Sequence, residues 1–214
     1  MLAAIFAKPL VALAAFTRRF RRSSDGIAAV EFALIVPIML TMFIGVVELS
    51  QAITVDRRVS QVAASTADLV ARQRQISTTT LDGYMQIIAE LMSPYAATPL
   101  KMTIANVYNT TAVPATARVC WVYQYNTGVE TLTKGGTYTG MPTGVLDTTA
   151  GGTSVVVVKV KYLYQPVLFV RSTTVHGAGV HSFIGAAGIN MTETFYLKPR
   201  LSASIQFETD PVCV

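Results

Sequence analysis

From Ile27 to Val47 the chain is mostly apolar with one ionisable residue, Glu31, and the run ends at Glu48. A stretch of this length spans the hydrocarbon core of a bilayer, which needs about 20 mostly apolar residues. Its Leu, Ile, Phe and Val residues each favour insertion by about 0.3–0.6 kcal/mol, several kcal/mol together, against about 2.5–3.5 kcal/mol for a charge at the helix centre. Glu31 lies only about 7 Å along the axis from Gly26, so its cost is smaller than that and the segment is expected to insert.

Arg18, Arg19, Arg21 and Arg22 stand on the N-terminal flank, with Asp25 as their acidic neighbour. The positive-inside rule then holds residues 1–26 in the cytoplasm and exports the chain beyond Val47. A secretory signal has a shorter apolar core followed by a small-x-small cleavage site. Glu48-Leu49-Ser50 offers no such site. Residues 1–17 are also apolar but interrupted by Lys8-Pro9, and read as a membrane-surface leader, with a short second span as the other option.

Of the net charge of +5, residues 1–26 carry five of the seventeen basic residues and one of the twelve acidic ones, which leaves the exported part close to neutral. A neutral domain gives no electrostatic case for nucleic-acid binding. The arginine cluster is explained by topology and by anionic lipid. The two cysteines, Cys120 and Cys213, fall on the exported side, where an oxidising compartment favours a disulfide. Such a bridge would close a loop of about 93 residues; two unpaired buried thiols are the alternative.

Between Glu48 and Ile76 there is no proline or glycine, and Leu49, Ala52, Val55, Val59, Val62, Thr66, Leu69 and Val70 recur at helical spacing. The spacing predicts one helix from Ile27 to about Ile76, half in lipid and half amphipathic, with Pro37 as a place for a kink. A second helix is expected over Leu81 to Met92, capped by Thr79 or Thr80 and stopped at Ser93-Pro94. Beyond it the period changes to two. Val119, Trp121, Tyr123 and Tyr125 alternate with Cys120, Val122 and Gln124, and Val156, Val158, Val160, Tyr162 and Tyr164 share a face opposite Lys159 and Lys161. Leu201, Ala203, Ile205 and Phe207 form a further alternating run, and 101–108 and 193–198 are weaker strands. Residues 126–152 and 172–190, rich in Gly with Thr or Ala, read as loops. The expected fold class is α+β: a long N-terminal helix, transmembrane then exported, packed on a small antiparallel sheet. The divisions are 1–26 as leader, 27–47 as span, 48–78 as helical continuation and 79–214 as exported domain.

Gly26-Ile27-Ala28-Ala29-Val30-Glu31-Phe32 resembles the processing site of pilins and pseudopilins. With Ala33-Leu34, Pro37 and Gly45 to Glu48 it most closely resembles the TadE-like family of the Tad/Flp tight-adherence pilus system. Val158 to Pro166 (VKVKYLYQP) is similar to a valine- and tyrosine-rich strand of that family. The resemblance implies cleavage by a prepilin peptidase after Gly26, with Ile27 as the first mature residue and Glu31 as the fifth. Flp-type major pilins carry tyrosine after the glutamate, where this chain has Phe32, and are far shorter, so the resemblance implies a minor pilin or pseudopilin. Its partners would be the prepilin peptidase, other pseudopilins and pilus subunits, and the inner-membrane assembly platform. The new amine on Ile27 would meet a neighbour's Glu31, each offsetting the other's cost in lipid; a carboxylate that reaches to water or is protonated is the plainer account.

No catalytic constellation is expected, and neither cofactor, metal nor small-molecule substrate is called for. His176 and His181 are five apart in a Gly-rich stretch, Thr133-Lys134-Gly135-Gly136 lacks the order of a phosphate loop, and Phe183-Ile184 reads as a loop lid over the core. Trp121, Tyr123 and Tyr125 are expected in the core. An uncleaved single-pass adaptor and a membrane-tethered periplasmic enzyme or glycan binder stand as alternative readings.

Overall fold

A computed structural model describes residues 25–110, 116–146, 153–166, 188–210 and 213. Residues 1–24 with the arginine cluster, and His176, His181, Phe183 and Ile184, lie outside the described residues. The chain divides into two compact units between Val47 and Glu48.

Helix α1 runs from Asp25 to Ala71. In the first unit it carries Pro37, and Thr41 Oγ1 donates to the Pro37 carbonyl at 2.8 Å. In the second unit one face of α1 is buried: Val55, Val59, Val62, Ala63, Ala67 and Val70. The helix stops before the predicted Ile76. Arg200 N–H donates to the Ala71 carbonyl at 2.9 Å and Gln73 N–H to that of Val70 at 3.0 Å, so two of the terminal acceptors find partners outside a regular ladder. Strand β1 (Gln75–Ile76) is then free to pair in parallel with β6 (Gln206–Phe207).

Helix α2 spans Thr78–Ala89, and its N-cap is Ser77 rather than Thr79 or Thr80. Ser77 Oγ accepts from Thr80 N–H at 3.2 Å, from an extended backbone that only the residue before the first turn adopts. Leu81, Met85 and Ile88 face inward, and a 3₁₀ turn at Glu90–Met92 ends the segment before a cis Ser93-Pro94 bond. Arg58 of α1 holds this end. Its Nη1 donates to the carbonyls of Leu91, at 2.9 Å, and of Ser93.

Strands β2 (Lys101–Asn109), β3 (Ala117–Tyr125), β4 (Ser154–Tyr164) and β5 (Ile189–Leu197) form an antiparallel sheet in the order β3-β2-β4-β5. With α1 and α2 this gives the expected α+β fold. One face joins α1 and α2 in a single core through Met102, Ile104, Trp121, Tyr123, Val156, Val158, Val160, Tyr162 and Tyr164. The other face is covered as well: Ala105, Val107, Val119, Val155 and Val157 pack with Tyr138 and Leu146. These two come from the Thr- and Gly-rich stretch read as a loop, which shelters the sheet rather than leaving it wet.

Two strand expectations are corrected. Of the run 201–207 only Gln206–Phe207 is strand, because the Ile205 carbonyl turns inward to accept from Trp121 Nε1 at 2.8 Å and Asn106 Nδ2 at 3.3 Å. The alternation expected for β3 breaks at a bulge, where Asn106 pairs with Trp121 but Val107 pairs with Val119. The extra residue is Cys120, which joins Trp121 and Tyr123 on the helix side while Val119 faces the outer cluster. There the Cys120 sulfur lies 2.07 Å from that of Cys213, with Cα atoms 5.8 Å apart.

Candidate assembly helix

Gly26 is the second residue of α1, and a Cβ built on it would meet nothing within 4 Å. Ile27 and Glu31 are one helical turn apart, with Phe32 next, and all three are exposed. So are Val30, Leu34, Ile35, Ile38, Met39, Leu40, Met42, Phe43 and Val46, a helix surface apolar nearly all round. Such a surface is stable only against lipid or other apolar helices. This helix is long and apolar enough to cross a membrane. Among the described residues Glu31 has no hydrogen-bond or ion-pair partner. The expected site residues Gly26, Ile27, Glu31 and Phe32 therefore line a helix surface, not a pocket.

The carboxylate at the end of the apolar run behaves in the opposite way. Glu48 is buried, and Tyr164 Oη donates to its Oε2 at 3.0 Å. Burial first, and then the Glu48 carboxylate, push the Tyr164 hydroxyl from 10.0 up to about 12. Sequence reasoning took Glu48 only as the end of the span. The available signal was Tyr164 itself, a polar-tipped residue at the end of a valine face that needs a buried partner.

Other polar contacts bind elements together. Tyr123 Oη donates to Asp82 Oδ1 at 2.5 Å, tying β3 to α2, and burial with that carboxylate holds its pKa well above the usual tyrosine range. Asp68 accepts from Arg72 at 2.6 Å and from Arg200 at 2.7 Å, joining α1 to the segment after β5. Thr133 to Gly136 forms a turn in which Gly136 N–H donates to the Thr133 carbonyl at 2.9 Å, and Gly135 adopts a φ of 78°. Trp121 stacks on Phe207 with centroids 5.1 Å apart, a core contact. Among the described residues no group of three His, Cys, Asp or Glu side chains is placed to hold a metal ion.

The exposed apolar half of α1 and its half-buried continuation coincide with a family signature. Residues 26–68 match the TadE-like protein family. The match is to the family that the Gly26 to Phe32 motif resembles. It takes in the candidate span and the core-facing part of α1 up to Asp68. The four-stranded sheet, including the similar stretch Val158 to Pro166, lies outside the TadE-like segment. Neither a curated protein nor a solved structure matches the chain significantly.

Proposed function

We propose that the chain is a non-enzymatic minor pilin or pseudopilin of a Tad-type pilus, acting through lateral packing of α1 in the inner membrane. The observation that carries this reading is the coincidence of a TadE-like match over residues 26–68 with a helix whose apolar surface is left exposed over the first part of that segment. Residues 1–26 would be a cytoplasmic leader, removed after Gly26 by a prepilin peptidase. Residues 27–47 would span the bilayer, and the rest would lie in the periplasm, where oxidation joins Cys120 to Cys213. Other pseudopilins, pilus subunits and the assembly platform would then be its partners.

The chemistry at Glu31 follows from that cleavage. A new α-amino group on Ile27 would be cationic and close to the membrane face. Paired with a neighbour's Glu31 across a small axial stagger, it offsets the desolvation of both charges and selects one register. Glu31→Ala is expected to lower co-assembly with pilus subunits on the order of tenfold or more, as the loss of one partner of a buried pair does. Undiminished co-purification and filament yield would count against the pairing.

N-terminal sequencing of the membrane-purified protein, with and without the candidate peptidase, tests the whole reading. A mature chain beginning at Ile27 supports it. A retained Met1 would instead favour an uncleaved single-pass adaptor whose periplasmic domain binds envelope components.

A further inference from the structure

The shelter that α1 gives the sheet ends at β4. Residues paired directly across two strands share a face, so β5 repeats the inner face of β4 one strand further out. Tyr164 is 3% exposed but its partner Ile189 is 37% exposed, and Val158 is fully buried while its partner Phe195 is 38% exposed. Between them lie Met191, buried, and Glu193, half-buried opposite the buried Val160. Strand β5 is also the edge of the sheet among the described residues. It therefore forms an apolar ledge interrupted by one carboxylate.

The exposed side of α1 in the same unit carries a matching row. Leu49 is 62% and Ile53 48% exposed, both apolar and beyond the candidate span, and Arg57 comes one turn later, also exposed. Neither Arg57 nor Glu193 has an ion-pair partner among the described residues. From Leu49 to Arg57 the helix rises about 12 Å. From Ile189 to Glu193 the strand rises about 13 Å. The direction matches too. Tyr164 binds Glu48 and β4 runs antiparallel to β5, so β5 starts at the level of Leu49 and runs the same way as α1.

We infer that the β5 ledge receives α1 of a second copy of this chain, with Leu49 and Ile53 over Ile189 and Met191 and with Arg57 paired to Glu193. This rests on the membrane placement proposed above. Two copies in one bilayer leave it through the same end of α1, so their helices run in one direction. Confinement to the bilayer raises the effective concentration enough for a modest contact to form.

The test uses the full chain in proteoliposomes, as two differently tagged copies, with a photoreactive phenylalanine analogue at position 195. The expected result is a product linking the two tags and mapping to residues 49–61. Arg57→Glu or Glu193→Arg alone should cut its yield about two- to fivefold, as for an exposed ion pair, and the double reversal should restore it. Adducts to lipid only, a product mapping elsewhere, or no recovery in the double variant overturns the contact. An Ile27 terminus found without the product would sink the ledge contact and leave the pseudopilin reading standing.

Discussion

At the scale of single residues, buried tyrosine hydroxyls tie the elements of this domain together. Tyr164 is the clearest case, because its hydroxyl is the donor given to a buried carboxylate. Tyr164→Phe removes that hydrogen bond to a buried carboxylate and is expected to cost about 1–3 kcal/mol in denaturant unfolding of the full chain in detergent. The pH dependence comes from the same pair. The folded-state pKa is raised from 10.0 to about 12, so the folded protein keeps a proton that the unfolded chain releases. The stabilisation is complete below pH 10 and is lost as pH rises through 12. Tyr123 and Tyr138, both raised mainly by burial, act in the same direction. An alkaline titration of stability should therefore fall over this window, and less steeply in Tyr164→Phe; an unchanged slope would refute the assignment.

At the scale of elements, what was legible in the sequence was periodicity, and what was hidden was every place where a long-range contact overrules it. The valine row of α1 and the alternation of β4 are local patterns, and each lies where its period puts it. The end of α1 at Ala71 depends on Arg200 and on strand β6, which are distant in sequence and invisible to a window. The β3 bulge likewise depends on register against β2, so simple alternation puts Cys120 on the wrong face. The cap of α2 lies two or three residues before its expected place because Ser77, Thr78, Thr79 and Thr80 all suit the role. Ser77→Ala is expected to lower stability by about 0.5–2 kcal/mol, whereas Thr79→Ala should change little. Equal losses at the two positions in thermal melts would put the cap elsewhere. Replacing Cys120 and Cys213 by alanine removes a cross-link over 93 residues and is expected to cost about 4–5 kcal/mol, read as the shift between oxidised wild type and variant. A variant as stable as the oxidised protein would contradict that. At the candidate site, Gly26, Ile27, Glu31 and Phe32 could be proposed from the sequence because the motif is contiguous. Glu48 could not, because its partner is 116 residues away.

At the scale of the whole molecule, the two parts of α1 differ: the Val55, Val59 and Val62 face packs on the chain's own sheet, and the surface before Glu48 is apolar and exposed. This division also fixes an order of events during synthesis. The valine face of α1 is made about a hundred residues before the β4 valines that cover it, and the Ile205 plug that receives Trp121 and Asn106 comes later still. At 5–20 residues per second, that face waits on the order of 5–20 s without its sheet. In the membrane placement proposed above, a nascent chain would thus display a bare hydrophobic stripe for longer than a small domain takes to collapse, and a holding chaperone would find its substrate there.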